Sequence, residues 1–452
     1  MTNSLKSLQN DVYFGNEVLN RVSFLREDPE FIQSSLFHPS TRFIFYYKQQ
    51  PLIHKNFANK LSILTNGSQQ PRVDNEIGIE GNTGKVKYTG KKAVIEAGLL
   101  ENVPSWKETL DVWFNDNKTH DKTLRTGKPV FLLMGMLDES VNLDLRSLKF
   151  ADTSEETYLD HQGRYQGIAY YAVDLSSSKN LRNEIVAFVN DSINKLSDTD
   201  KSPDDNGVFF THSRKHYLGF EKEEAALFSQ GAMFFSWLDT NKFCPGCGSP
   251  TIPIHAGGKL LCTNEAKRSD DEERFACPVK GARVSNASFP RTDMAVISII
   301  TNEDRSKILL SLNKRYAIAR MYTCTAGFME PSETVEVATR REIWEETGVT
   351  CNEIKIVNTQ PWPFPQNLMI GCMGVVEFNN KNEIIHLGHD NELEDARWFD
   401  IEFVRKLVYP NEVKEEEKDT FNPEGIIIPM KESIAHSLIK MVVDEAKNVS
   451  KL

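Results

Sequence analysis

Apolar residues in this chain fall into short strand-like runs, two helical patterns and broad polar intervals. Runs at 43–47, 130–133 and 168–173 read as strands, and Ala295-Val296-Ile297-Ser298-Ile299-Ile300 as a buried strand. Over about 221–238, Ala225, Ala226, Phe228, Ala232 and Phe235 give a mixed helical spacing. A second helix is bracketed by punctuation. Pro331 and Ser332 mark a turn and helix start, and Gly348 sits where a C′ glycine belongs. Val335, Ala338, Ile343 and Val349 are the apolar positions that pin this helix to a sheet. The stretches 66–90 and 176–207 are polar and read as insertions or mobile loops.

The second helix also carries chemistry. Glu342, Glu345 and Glu346 fall at i, i+3 and i+4, so three carboxylates project from one face. Like charges at that spacing repel, and a solvated acidic face is the plain reading of such a cluster. A hard divalent cation reverses the sign, because Mg²⁺ or Mn²⁺ seeks oxygen ligands and bridges carboxylate to phosphate. The whole segment 327–349, GFMEPSETVEVATRREIWEETGV, resembles the Nudix box G-x5-E-x7-R-E-U-x-E-E-x-G-U at every fixed position. The resemblance implies an α+β fold, a Nudix α/β/α sandwich with a mixed sheet. It also implies hydrolysis of a nucleoside diphosphate linked to another group. By the same resemblance Glu342 and Glu346 hold metal with the carbonyl of Ala326, and Glu345 is a ligand or a proton acceptor. Arg341 is expected to orient a glutamate such as Glu333 rather than to touch substrate.

Past the box lies Gln360-Pro361-Trp362-Pro363-Phe364-Pro365-Gln366. Three alternating prolines forbid a helix and make a poor central strand, so a rigid extended loop is expected. The run resembles the SQPWPFPxS signature of NADH pyrophosphatases, with Thr359 and Asn367 standing where that family has serines. The resemblance implies that Phe328 stacks on the nicotinamide ring and that Gln360 and Trp362 line the nucleotide pocket. Segment 392–399, ELEDARWF, is similar to a late motif of these domains whose first glutamate completes the metal site, here Glu392. Ser433-Ile434-Ala435-His436-Ser437-Leu438-Ile439 resembles the family's last helix, with Ala435 bordering the base pocket. His436 is read as packing or surface.

Four of the seven cysteines precede the box: Cys244-Pro-Gly-Cys247, Cys262 and Cys277. A C-x2-C turn with a glycine behind it aims two thiolates at one tetrahedral ion, so a structural zinc ribbon is expected. The charged insert 263–276 is longer than a ribbon usually carries, and His255 stands as an alternative ligand. NADH pyrophosphatases carry such a ribbon between two domains. The expected order is therefore a degenerate Nudix-like N-terminal domain over 1–238, the ribbon over 239–288 and a catalytic domain over 289–452. Cys324, Cys351 and Cys372 lie in apolar segments and read as buried thiols.

The chain has 452 residues, 40% of them hydrophobic, enough for several cores. Its net charge of −11 argues against general nucleic-acid binding, though not against an anionic substrate in a metal-lined cleft. No apolar run is long enough to span a membrane, and the start MTNSLKSLQN lacks a secretory core. Ser450-Lys451-Leu452 is the tripeptide read by the peroxisomal import receptor, so a peroxisomal location is expected, with the cytoplasm as the alternative. The reading is an enzyme, homodimeric by the family resemblance, that splits NADH into reduced nicotinamide mononucleotide and AMP. Removal of NAD caps from RNA 5′ ends uses the same bond. A dinucleotide-binding module without turnover is the alternative of another class, disfavoured by the intact box.

Overall fold

The computed structural model describes residues 12–15, 18–54, 60–67, 73–74, 98–124, 127–138, 149–150, 159–194, 207–265, 277–280, 287–389, 391–417 and 420–449. Ser450-Lys451-Leu452 lies outside the described residues, as do 266–276 of the charged insert and most of 66–90. The chain forms two compact units, one of residues 17–291 and one of 292–452 together with 1–16.

In the unit 17–291, seven strands make one sheet: β1 (Arg42–Tyr47), β2 (Gln50–His54), β3 (Ile63–Thr65), β4 (Val130–Leu137), β5 (Leu159–His161), β6 (Tyr165–Asp174) and β7 (Val208–Phe210). Their order is β4-β6-β1-β2-β7, with β3 on β1 and β5 on β6. β1 and β6 run parallel, and the other pairs are antiparallel. Four long helices accompany the sheet: α1 (Pro29–Phe37), α2 (Trp106–Thr119), α3 (Lys179–Asn194) and α4 (Lys222–Thr240). α3 corrects the expectation of a loop over 176–207. Leu181, Ile185 and Val189 recur once per turn and are buried in the main core, a stripe too narrow to stand out among polar neighbours. The hairpin of β8 (Thr251–Ile254) and β9 (Lys259–Cys262) carries the third cysteine. Its residues Ile252, Ile254 and Ala256 share a core with Phe131 and Leu133 of β4.

In the second unit the strands are β10 (Asp293–Asn302), β11 (Lys307–Asn313), β12 (Thr325–Phe328), β13 (Glu353–Trp362), β14 (Asn367–Val376) and β15 (Leu393–Asp400). The order is β13-β14-β10-β11-β15, with β12 on β10. β10 and β14 run parallel, and the rest antiparallel. Strand for strand, this repeats the order and directions of β4-β6-β1-β2-β7 with β3 on β1. Among the described residues three α-helices belong here: α5 (Val335–Thr347), α6 (Ile401–Val408) and α7 (Ile434–Val449). Alternation along the strands builds two cores. Ile297, Ile299, Ile308 and Leu310 pack with Leu438, Ile439 and Val442 of α7, while Ile300 and Leu309 pack with Ile343 of α5 and Val349. The sheet is thus covered on both faces, an α/β/α sandwich.

The proline run is not wholly a loop. Gln360-Pro361-Trp362 ends β13, paired to Met369, Leu368 and Asn367, and only Pro363 to Gln366 form the turn. β13 is an edge strand, which tolerates a residue with no N–H to donate.

Candidate active site and cysteine cluster

α5 starts two residues later than its punctuation suggests. Thr334, not Ser332, is the N-cap and accepts from the Val337 N–H at 3.3 Å, while Ser332 sits in the preceding turn at φ 72°. Gly348 closes the helix at φ 74° with its N–H on the Trp344 carbonyl at 2.8 Å, as a C′ glycine does.

The acidic face of α5 is organised by Arg341. Its Nε donates to Glu333 Oε1 at 2.6 Å and Nη2 to Glu333 Oε2 at 2.9 Å. Nη1 reaches Glu342 Oε1 at 2.6 Å and Glu345 Oε2 at 2.9 Å, and Nη2 also meets the Phe328 carbonyl at 2.8 Å. The guanidinium beside Glu333 holds its carboxyl down to about 2. Partial burial pushes the Glu342 carboxyl up, although Arg341 opposes it. Glu346 is 5% exposed, and its Oε1 accepts from the Ala326 N–H at 3.3 Å, which seats β12 on the helix. Gly327 has a steric duty there, since a β-carbon would collide with the Glu342 carboxylate. Glu346 and Glu342 of the helix thus both border β12, one on the Ala326 N–H and one against Gly327.

The strand register extends this arrangement across the sheet. Phe328 pairs with Ala295, Ala295 with Met369, and Met369 with Gln360, so four residues lie in one row over four strands. At the ladder spacing, Phe328 and Gln360 stand roughly 14 Å apart. Phe328 is 58% exposed, an aromatic face open to a ring. Gln360 is 2% exposed and spends both ends on the protein. Its Nε2 donates to the carbonyls of Tyr13 at 3.1 Å and Glu432 at 2.9 Å, and its Oε1 accepts from the Ile434 N–H at 2.7 Å. That bond fixes the start of α7, where Ala435 is buried. Trp362 meets Phe364 edge-to-face at 5.3 Å. Tyr13 and Phe14 were not foreseen as part of this region; an aromatic pair followed by glycine in a polar segment was the available signal. His436 gives its Nδ1 to the Pro429 carbonyl at 2.9 Å, a packing contact.

Glu392 precedes β15 and is exposed; its Oε2 lies 3.5 Å from Asn313 Nδ2, and its carbonyl accepts from the Lys314 N–H at 3.1 Å. Among the described residues, the four cysteines are the one set of three or more His, Cys, Asp or Glu ligand atoms drawn within 4.8 Å of one another. The box carboxylates are instead spread around Arg341.

Cys244, Cys247, Cys262 and Cys277 converge from the knuckle, the end of β9 and the short segment 277–280. Sγ separations are 3.5 Å for Cys244–Cys277 and 3.4 Å for Cys247–Cys262. Gly248, at φ 71°, lets its N–H reach the Cys244 carbonyl at 2.8 Å and closes the knuckle. The Asn264 and Lys280 N–H groups point at Cys262 and Cys277 Sγ at 3.5 and 3.3 Å. The Ser249 hydroxyl and N–H draw the Cys247 thiol down to about 6, whereas burial pushes the Cys244 and Cys262 thiols up. His255 is outside this set; its Nδ1 lies 3.1 Å from Glu27 Oε1. Cys324, Cys351 and Cys372 are buried free thiols.

A carboxylate helix gripped by arginine against a glycine-bearing strand, on a mixed sheet covered on both faces, defines a Nudix hydrolase. The NUDIX domain model matches residues 291–418, and the NADH pyrophosphatase zinc ribbon domain model matches residues 239–265. NAD-capped RNA hydrolase NPY1 of Saccharomyces cerevisiae is 36% identical over 447 residues, covering 97% of this chain and 97% of that protein. The NAD-capped RNA hydrolase of Schizosaccharomyces pombe is 37% identical over 254 residues, 55% of this chain and 62% of that protein. Human NAD-capped RNA hydrolase NUDT12 is 35% identical over 241 residues, 53% of this chain and 46% of that protein. The chain belongs to the NADH pyrophosphatase family of Nudix hydrolases.

Proposed function

We propose that this enzyme hydrolyses the pyrophosphate bond of NADH to reduced nicotinamide mononucleotide and AMP, and the same bond where NAD caps an RNA 5′ end. The observation that carries the reading is the strand row from Phe328 to Gln360. It puts an exposed aromatic ring one residue from Gly327, which meets Glu342, and in register with Gln360, two residues before Trp362. The full-length likeness to a yeast NAD-capped RNA hydrolase supports the second substrate.

The donor set fits a hard divalent cation: Glu342, Glu345 and Glu346 share a helix face, and β12 offers the Ala326 carbonyl beside them. Glu392, exposed just before β15, is assigned to the same site by the family resemblance. The chemistry supplied by bound Mg²⁺ or Mn²⁺ is charge neutralisation on the pyrophosphate and acidification of water. The chain's own residues do the positioning. Gly327 lets the Glu342 carboxylate come against the strand backbone. Arg341 keeps Glu333 ionised and ties the loop after Phe328 to the helix, so one guanidinium links the Phe328 carbonyl to the carboxylates. Phe328 takes the nicotinamide ring and fixes which phosphates face the helix.

The four cysteines are assigned one structural Zn²⁺ per chain, and the active enzyme is assigned as a homodimer by family. Ser450-Lys451-Leu452 is assigned as a peroxisomal address, tested by placing that tripeptide at the end of a fluorescent reporter and by replacing it in the tagged enzyme. The deciding experiment for function measures initial rates on NADH, NAD⁺, ADP-ribose and NAD-capped RNA, each with Mg²⁺ and with Mn²⁺. Cleavage of none of the nicotinamide substrates with either metal would overturn the reading. Tight dinucleotide binding without cleavage would support the binding-module alternative.

A further inference from the structure

Residues 12–15 are remote from the catalytic elements in sequence but belong to the same compact unit. Tyr13 and Phe14 are buried although the segment before them is polar. The Phe14 ring stands edge-on to Trp362 and to Phe364, each at 5.8 Å between centroids. Gln360 Nε2 donates to the Tyr13 carbonyl at 3.1 Å. Gly15 comes so near Pro361 that a β-carbon would lie 2.8 Å from its Cδ. Phe14 holds φ at 65°, the left-handed region that a residue with a bulky side chain rarely occupies. Such a backbone persists where its surroundings over-determine it. Here an aromatic contact, a hydrogen bond and a close backbone approach all converge on one target, the end of β13 and its turn.

We propose that residues 12–15 are a positioning wedge that sets the aim of Trp362 and thereby tightens binding of the dinucleotide. The inference rests on the reading of this unit as a dinucleotide hydrolase. Without Phe14, Trp362 and Phe364 lose the ring that packs against both, and the turn samples more arrangements. Substrate binding must then supply the ordering that the wedge supplies in advance. The cleavage step depends on Gly327, Arg341 and the helix glutamates, which lie on other elements. The wedge therefore acts on KM more than on kcat.

The test uses full-length Phe14→Ala, Phe14→Leu and Gly15→Ala proteins with NADH and Mg²⁺, together with hydrogen–deuterium exchange. Phe14→Ala is expected to raise KM about tenfold with kcat within about twofold, Phe14→Leu recovering most of the loss. Gly15→Ala, the milder variant, shifts KM in the same direction. Exchange should quicken over 360–367 and stay unchanged over 335–347. Wild-type KM and wild-type exchange in Phe14→Ala would overturn the wedge. A fall in kcat and in melting temperature with KM unchanged would also overturn it, as a purely structural role. A wild-type enzyme that cleaves no dinucleotide sinks the hydrolase reading instead, and the exchange pattern still decides the wedge.

Discussion

Arg341 grips Glu333 through two parallel hydrogen bonds, Nε to Oε1 at 2.6 Å and Nη2 to Oε2 at 2.9 Å, and the same guanidinium reaches two glutamates of α5. The pair joins the loop after Phe328 to α5, so it transmits position rather than chemistry. Planar fork geometry is the reason arginine stands there, and a lysine point charge cannot serve several carboxylates at fixed angles. Arg341→Lys is expected to cut kcat by about 10²-fold while leaving the fold intact, because misplacing catalytic groups by an ångström has that order of cost. Steady-state kinetics with far-ultraviolet circular dichroism check it.

The same pair has a pH signature. The folded Glu333 carboxyl is depressed from the ordinary 4.5 to about 2, chiefly by its hydrogen bonds to Arg341. A depressed acid contributes stability that is fully present above its unfolded value and is lost as pH falls through the folded value. The stability gap between wild type and Glu333→Gln should therefore be constant above the ordinary value and shrink between 4.5 and about 2. Urea midpoints at a series of pH values check this, and a gap that widens on acidification would contradict the pairing.

Gly327 and Gly348 separate activity from stability. At Gly327 the conflict is between a β-carbon and the Glu342 carboxylate, so Gly327→Ala should lose on the order of 10²-fold in kcat with little change in melting temperature. At Gly348 the conflict is backbone strain at φ 74° with His386 in the way, 2.8 Å from an added β-carbon. Gly348→Ala should cost ~1–3 kcal/mol of stability. Melting and kinetics on the two variants distinguish these outcomes.

Zinc analysis tests the cysteine cluster. Cys262→Ser should lose bound zinc and destabilise the unit 17–291, since a closed thiolate site stabilises only the folded state. His255→Ala should retain zinc, because His255 faces Glu27. A loss of zinc from the histidine variant would restore His255 as a ligand.

The catalytic helix was legible because its chemistry is local: three carboxylates, an arginine and two glycines at fixed spacing within one turn-helix segment. The cysteine set was legible for the same reason in its first pair, while the convergence of Cys262 and Cys277 needed the fold. α3 was hidden because one apolar residue per turn suffices when the rest of the helix is solvated. Pro361 in a strand was missed because sequence does not reveal which strand is an edge. The aromatic pair Tyr13-Phe14 before Gly15 marked a packed segment, but its partner Trp362 could not be read locally, since the contact joins segments separated by most of the chain.

Gln360 offers the sharpest contrast between a residue that lines a pocket and one that holds it. Its buried amide ties the Tyr13 carbonyl, the Glu432 carbonyl and the Ile434 N–H to the end of β13. Gln360→Met keeps the volume but removes all three bonds. Each buried group left without a partner costs about 1–3 kcal/mol, so a total of roughly 2–4 kcal/mol is expected after partial relaxation. The loss should appear in urea unfolding of the enzyme without substrate, and KM should rise because Trp362 and Ala435 are anchored through the same amide. If Gln360 served only as a substrate contact, the variant would unfold at the wild-type urea concentration and show a raised KM alone. Equal unfolding midpoints for Gln360→Met and wild type would therefore remove the scaffold role and return Gln360 to the pocket wall.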